Sequence, residues 1–257
     1  MPIFKPPVRQ PPYQPQKVRS TPSSAIPAFE SASNSGYQAA QSTYSWSHVC
    51  SGDNRFLAVD VALLSAGSTV SSITYNGVDL SLLVGISTVT SLGRVECWGL
   101  ANPASGSNTI VVTLSGTIAS AGTAVSYSGV HQVSPTEGTN SNQATNGASA
   151  ADATVDITSV ADQCWIHAAV ATGDTTITAG QTTRNNVTGA GGSGADEDFG
   201  PQAAGLKTMS YTDIGAVMTW AIAGYAIRPV TASSLLSFIP PIGAYYRANT
   251  FMGGVTC

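Results

Sequence analysis

The sequence predicts an all-β protein, an antiparallel jelly-roll-like β-sandwich, on three observations. Apolar runs rich in Val, Ile, Thr and aromatic residues recur about 10–15 residues apart, with Gly, Asn or Pro between them. Charged residues make up only 9% of the chain, and Gly, Ser, Thr and Ala take their place, which suits pleated, half-buried strands. No helix of useful length is visible along the sequence.

Three segments are expected: an extended Pro-rich basic arm at 1–29, a β-sandwich domain at 30–229 and a C-terminal interaction tail at 230–257. A chain of 257 residues has room for one large β domain or two small ones. The polar segment 131–152 could separate two small sandwiches. Because it lacks the prolines of a stiff spacer, we favour one sandwich of about ten to twelve strands.

The strands before the polar segment are expected at 54–64, 70–78, 80–84, 94–100, 108–115 and 122–130. An Asn-Gly pair at 76–77 predicts a hairpin turn. The segment 131–152 is expected to be a polar loop. Strands then resume at 154–159, 163–172, 174–179, 182–187, 206–212 and 216–227. The Gly-rich segment 189–200 is expected to be a flexible loop.

The N-terminal arm differs from the rest of the chain in charge and in proline content. Its first nineteen residues hold six prolines, four bases and no acid, so they carry +4, and the remaining residues carry 6 − 14 = −8. Proline removes backbone donors, so the arm should be extended. We expect it to dock on an acidic partner surface, and the alternative is a disordered tail. The residues expected to make the contact are Lys5, Arg9, Tyr13, Lys17 and Arg19.

The C-terminal tail is apolar and aromatic, and a pair of prolines at 240–241 interrupts it. Left exposed, such a segment would be an aggregation liability. We expect it to bury its aromatic side chains against a neighbouring subunit, and the alternative is that it covers an open face of its own sandwich. The residues concerned are Phe238, Tyr245, Tyr246 and Phe251.

The sequence lacks the features of targeting and of membrane insertion. The N-terminus has no apolar stretch of about 7–15 residues, as a signal peptide needs, and no run of about 18 apolar residues could span a membrane. We therefore expect synthesis in the cytoplasm, no membrane partner and free thiols. Cys50, Cys97 and Cys164 are expected to be buried, whereas the terminal Cys257 could be exposed.

No catalytic motif is found. The chain has no G-x-S-x-G, no H-E-x-x-H and no G-x-x-x-x-G-K, so we expect no enzymatic activity, no cofactor and no metal. His167, within the run CWIHAAV, is expected to be a hydrogen-bonded histidine of a sheet. The acidic trio 196–198 could supply oxygen ligands to Ca²⁺, but a solvated loop tip is favoured.

Carbohydrate and nucleic acid are two further classes of ligand that the residue types could bind. Trp46 is the best exposed candidate for a carbohydrate platform, because aromatic faces pack on sugars, whereas the other tryptophans lie in strand runs. The four bases of the arm would give only modest, salt-sensitive affinity for nucleic acid. The body is negative and would be repelled by phosphate, so we expect no nucleic-acid partner.

Several stretches resemble a β-sandwich domain found in tailed-phage virion proteins and in bacterial surface proteins. They are NRFLAV at 54–59, 70–78, RVECW at 94–98 with Asn102-Pro103, 109–116, AVSYSGVHQVSP at 124–135, 154–159 and WAIAGYAIRP at 220–229. The likeness covers 45–229 and brings no catalytic residue with it. An extended arm before a compact β body also resembles the layout of phage capsid decoration or cement proteins.

This resemblance implies a non-enzymatic virion structural protein, made in the host cytoplasm and placed on the outer surface of the capsid. It would bind the major capsid protein or another virion protein and stabilise the shell through its N-terminal arm. We expect a homo-oligomer, with a trimer favoured. The alternative is a tail-fibre, baseplate or cell-surface adhesin module that binds glycans.

Overall fold

Antiparallel strands account for all the regular structure of the residues that can be described. The computed structural model describes residues 25–65, 67–87, 93–144, 152–174, 177–189, 192–212, 214 and 219–230. They form fifteen strands, so the all-β prediction is confirmed. Among these residues there is no helix of the length and hydrophobicity that crossing a membrane requires.

The strands follow one another in chain order. They are β1 (Ala28–Cys50), β2 (Phe56–Leu63), β3 (Val70–Tyr75), β4 (Val78–Asp79), β5 (Ser81–Ser87), β6 (Arg94–Ala101), β7 (Gly106–Ser128), β8 (Thr136–Gln143), β9 (Ala153–Ser159), β10 (Cys164–Thr172), β11 (Thr178–Ala179), β12 (Thr182–Gly189), β13 (Gly192–Gln202), β14 (Gly205–Thr212) and β15 (Trp220–Ile227).

The two halves of the chain build central sheets with the same strand order. In the first half (β1–β7) the neighbours are β5-β6-β2-β7-β1, where 28–41 of β1 pair with 118–128 of β7. In the second half (β8–β15) the order is β12-β13-β10-β15-β8. Taken in chain order, each strand of one central sheet has its counterpart at the same position in the other.

Each half also has a smaller sheet with a matching order. The end of β1 (43–50) pairs with the start of β7 (106–113), which also pairs with β3. In the second half the order is β11-β14-β9. β1 and β7 each run through both sheets over 23 residues, with register shifts between Gln38 and Thr43. In the second half, two separate strands, β8 and β9, take the place of β1, and β14 and β15 take the place of β7. The second half therefore repeats the first, except that each of the two long strands is interrupted.

The turns before β2 and β10 show the same repeat. Asn54 lies two residues before β2 and Gln163 directly before β10, and both have a positive φ, of 53° and 62°. Side chains other than glycine rarely adopt this conformation, and asparagine is among those that tolerate it best. The common backbone geometry supports the equivalence of the two halves.

Three hydrophobic cores alternate with the sheets. The first core lies within the first half, the second core within the second half, and the middle core between the two central sheets. β2 is buried on both faces, because side chains alternate along a strand. Its Leu57, Val59 and Val61 enter the first core, whereas Phe56, Ala58 and Ala62 enter the middle core.

The expectation of a polar loop over 131–152 is wrong in part, because β8 lies within it. β8 reads TEGTNSNQ and pairs with β15 at the edge of the central sheet. A half-exposed edge strand need not be apolar, so its composition resembled that of a loop. Gly138, with a φ of 60°, lies at a register shift. A Cβ atom there would meet Thr158 O at 2.1 Å, so only glycine permits this close approach.

The expectation of a flexible loop over 189–200 is also wrong where the chain is described. β13 pairs with β10 on one side and β12 on the other, so it is an interior strand of the central sheet. Its small residues allow close packing: a Cβ on Gly194 would lie 2.6 Å from Ala62 Cβ. Its acidic side chains find polar partners inside the protein.

Other differences concern β1, before whose end no strand was expected, and the positions where other strands begin and end. The runs expected at 108–115 and 122–130 belong to one strand, β7. Of the strand expected at 174–179, the described residues include β11 at its end. β1 begins at Ala28, and Ala25 forms an isolated bridge to Val230. The last residues of the expected arm are therefore in contact with the sandwich, whereas 1–24 and 231–257 lie outside the described residues.

The cysteine prediction is confirmed for the three residues that the structure describes. Cys50, Cys97 and Cys164 are buried, and none of them forms a disulfide. Cys257 lies outside the described residues.

Glu137 closes the corner between β8 and the turn after β9. It accepts hydrogen bonds from the backbone N–H groups of Val160 (2.7 Å) and Ala161 (2.8 Å), and Arg228 Nε lies 3.3 Å from its other oxygen. Burial alone would raise the pKa of Glu137. The N–H groups, the Cys164 thiol and Arg228 together outweigh it and lower that pKa below its ordinary value.

We expect Glu137→Gln to lower the free energy of unfolding by about 1–2 kcal/mol at neutral pH, because an amide oxygen is a weaker acceptor than a carboxylate. A lowered folded-state pKa stabilises the protein above the unfolded-state pKa, and this contribution is lost as pH falls through the folded-state value. Urea unfolding at pH 7 and at about pH 3 should therefore show a larger difference from wild type at pH 7 than at the lower pH. Asp79→Asn, at an exposed position, is the control. An equal loss at both pH values would contradict the prediction.

Candidate functional site: a buried ionic cluster

The densest group of charges inside the described part of the chain lies in the middle core, between the two central sheets. Asp60 comes from the centre of β2 and His167 from β10. Asp196 and Asp198 come from β13, where they pair with Ala169 and His167 of β10. The four ionisable side chains are at most 2% exposed. Alternation along each strand directs them into the same layer.

His167 joins the two halves through both of its ring nitrogens. Nε2 lies 2.7 Å from Asp60 Oδ2, and Nδ1 lies 3.0 Å from the hydroxyl oxygen of Tyr127. The Tyr127 hydroxyl donates to Asp198 Oδ2 at 3.1 Å. Because its only proton goes to that carboxylate, the hydroxyl accepts from Nδ1–H of His167. The prediction of a hydrogen-bonded sheet histidine is confirmed.

Arg184 closes this chain of hydrogen bonds at its other end. Its Nε donates to Asp198 Oδ2 at 2.7 Å, and its guanidinium carbon lies 3.7 Å from the centre of the Phe29 ring. This cation–π contact ties β12 to β1. The network thus runs from β2 through β10, β7 and β13 to β12.

The ionisation of the cluster is set by opposing effects. Burial by itself would lower the pKa of His167, but Asp60 first, and Asp196 and Asp198 after it, raise that pKa to about 9. The ring therefore carries a positive charge at neutral pH. Burial raises the pKa of Asp196 to about 7, although His167 opposes the rise.

Asp196 is held by a second set of polar contacts. Asn185 Nδ2 lies 3.1 and 3.0 Å from its two carboxylate oxygens. Asn185 Oδ1 in turn accepts from Asn34 Nδ2 at 3.2 Å. The contact between Asn34 and Asn185 again joins β1 to β12.

The acidic trio 196–198 is not a solvated loop tip. Its side chains alternate across β13, so Glu197 points away from its two neighbours and accepts from the N–H groups of Gln181 (2.9 Å) and Ser210 (3.1 Å). Burial raises the pKa of Glu197 to about 7. The three carboxylates cannot converge on one Ca²⁺, which would need oxygen ligands on a common side.

Several polar atoms of this layer have no hydrogen-bond partner among the described residues. They include Asp60 Oδ1, Asp198 Oδ1 and the Tyr225 hydroxyl. A narrow gap beside Asp60, lined also by Thr123 and Ala169, is too small to admit a water molecule. Donor atoms of Asp60, His167 and Asp196 all lie within 4.8 Å of one another. The cluster can hold two sheets together, or a bare cation, but it offers no entry to a substrate.

Trp46, the candidate for carbohydrate binding, lies in a second polar cluster. Its ring stacks on Tyr44 with 6.0 Å between centroids, and its indole N–H donates to Ser33 Oγ at 3.1 Å. Ser33 Oγ also lies 2.7 Å from His48 Nδ1, and burial lowers the pKa of His48 to about 4. Trp46 is thus half-buried, with one ring face covered, and its role in glycan binding stays a prediction.

The residues of the ionic cluster were only partly predicted from the sequence. His167 was singled out as a structural residue, whereas Asp60, Tyr127 and Arg184 were not. The available signal was a single charged residue within an apolar run, as in FLAVDVAL of β2, since such a charge must find a partner inside the protein. The expected contact residues of the arm and of the tail lie outside the described residues.

No family model, no curated protein and no solved structure matches this chain. The resemblance to phage β-sandwich domains therefore rests on the sequence stretches quoted for it.

Proposed function

We propose that this protein is a non-enzymatic structural protein of a virus particle, a decoration or cement protein on the outer surface of a tailed-phage capsid. The observation that carries the proposal is the burial of its ionisable cluster. In an enzyme such a cluster would face a substrate, but here Asp60, His167, Asp196 and Asp198 are at most 2% exposed. The buried polar side chains of the body bind one another and hold its two halves together, which is consistent with a covering that has no catalytic activity.

The arrangement of the chain ends supports separate roles for the arm, the β body and the tail. In this proposal a jelly-roll-like body faces outward, the basic arm lies over acidic grooves of the major capsid protein, and the aromatic tail packs against a neighbouring copy in a homotrimer. Ala25 and Val230 are bridged, so arm and tail leave the sandwich at one place. The opposite charges, +4 on the first nineteen residues and −8 on the rest, favour an acidic partner for the arm.

The mechanism is mass action. A subunit that binds only the assembled shell stabilises that shell by its binding free energy. Several arms that act on one lattice add avidity, because each further contact is intramolecular.

Deletion of 1–24 tests the proposal, because it removes the four bases of the arm and spares β1. We expect occupancy on expanded capsids that lack the protein, measured by co-sedimentation, to fall by about tenfold or more, with an unchanged Tm. Lys207→Gln removes one base from the body and should leave occupancy unchanged. Full occupancy of the truncated protein would refute the role of the arm.

A further inference from the structure

The middle core brings three carboxylates (Asp60, Asp196, Asp198) together with the side chains of His167 and Arg184. Arg184 pairs with Asp198, so the carboxylates of Asp60 and Asp196 are left beside His167. A buried carboxylate needs a compensating partner. A proton or a cation can provide it.

The positions of the donor atoms favour a cation. Donor atoms of Asp60, His167 and Asp196 lie within 4.8 Å of one another and come from three different strands. Independently, Asp60 Oδ1 has no hydrogen-bond partner among the described residues, although the residue is only 2% exposed. A buried carboxylate oxygen normally has a partner, and a cation at the cluster would provide one.

The surrounding hydrogen bonds fix the ligands in the orientation that a metal requires. Nδ1–H of His167 donates to Tyr127, whose hydroxyl donates to Asp198, so Nε2 is the nitrogen left to bind. Metal-binding histidines commonly donate their other N–H in this way. Asn185 holds the carboxylate of Asp196. The orientations of His167 and Asp196 are thus fixed by contacts that do not involve Asp60.

We propose that Asp60, His167 and Asp196 form a structural site for a divalent transition-metal cation, with Zn²⁺ as the preferred ion. One imidazole and two carboxylates are a ligand set that Zn²⁺ accepts. The ion takes the place of the proton between His167 and Asp60, and that proton is released to solvent.

The surroundings define the kind of site. Because the gap beside Asp60 admits no water molecule, the ion would have protein ligands only, whereas catalytic zinc sites keep a position open for water. Mg²⁺ retains several waters and does not fit such a dry site. The inference is independent of the proposed role on a capsid.

Metal analysis of the purified full-length protein, expressed in zinc-supplemented medium, is the first test. We expect about one Zn²⁺ per chain by inductively coupled plasma mass spectrometry, and less than about a tenth of that in Asp60→Asn and Asp196→Asn. Glu197→Gln alters the neighbouring carboxylate on the opposite face of β13 and should retain the metal. Metal-free wild-type protein, or equal zinc content in all variants, would count against the site.

Refolding of the wild-type protein provides a test that does not depend on any variant. The protein is unfolded in denaturant with a chelator, and refolded with Zn²⁺ or without it. We expect a higher Tm with Zn²⁺ for the wild type and for Glu197→Gln, and no increase for Asp196→Asn. If Asp196→Asn does not fold, the wild-type comparison alone decides. Equal Tm values with and without Zn²⁺ would overturn the proposal and leave a proton as the balancing charge.

Discussion

Replacement of His167 with Leu is expected to lower the free energy of unfolding by about 3–5 kcal/mol, the usual range when one partner of a buried ion pair is removed. The ring contacts Asp60 at 2.7 Å and Tyr127 at 3.0 Å, and it is 0% exposed. Without it the carboxylate of Asp60 remains buried with no counter-charge. Two-state urea unfolding at pH 7, followed by fluorescence, measures the loss.

Two further variants separate this electrostatic cause from a general loss of packing. His131→Asn keeps an acceptor for the N–H group of Ser134, and we expect it to change stability by less than about 0.5 kcal/mol. The double variant Asp60→Val with His167→Leu removes both partners, and should be more stable than His167→Leu alone, because apolar pairs replace buried ion pairs at little cost. A double variant less stable than the single one would contradict this account.

Replacement of Phe56 with Ala is expected to lower the free energy of unfolding by a similar amount, about 3–5 kcal/mol. Phe56 is 0% exposed, and its ring meets that of Tyr225 edge-on with 6.4 Å between centroids. The ring also fills the space over Gly99, where a Cβ atom would lie 2.7 Å from Phe56 Cζ. The variant thus opens a cavity between the two halves that backbone on both sides prevents from collapsing.

Phe199→Ala is the matched control, since it removes the same side chain from a residue that is 38% exposed. We expect a loss below about 1 kcal/mol. Chemical unfolding of the two variants under the same conditions provides the comparison. Equal losses would show that the ring of Phe56 is not a central contact between the halves.

The apolar strands were predictable because their hydrophobic sequences reflect their burial in the protein. β2, β10 and β15 are buried on both faces and contain almost no polar residue, so they stand out as continuous apolar runs. β8 and β13 were missed for the opposite reason. One is a polar edge strand, and the other contains carboxylates whose partners are distant in the sequence.

The ionic cluster shows why such partners are difficult to predict. Asp60 and His167 are 107 residues apart, and nothing in the local sequence of one indicates the other. Asp196 and Asp198 resembled a solvated turn because they follow several glycines. The pairing of β13 with β10 places them beside His167. The tertiary fold therefore buries two carboxylates that the local sequence indicated would be solvated.

The repeated strand order was also invisible at the level of residues. β2 reads FLAVDVAL and its counterpart β10 reads CWIHAAVAT, which share little beyond hydrophobicity. Strand order depends on pairing, and many sequences satisfy the same pairing. Only the structure makes the equivalence of the two halves visible.

The bridge between Ala25 and Val230 has a mechanical consequence. A force that pulls the two chain ends apart acts first on this single backbone pair. A shear force along a strand would instead act on many hydrogen bonds at once. Tension on the ends would therefore be relieved at the rim of the sandwich before it reached the buried charges.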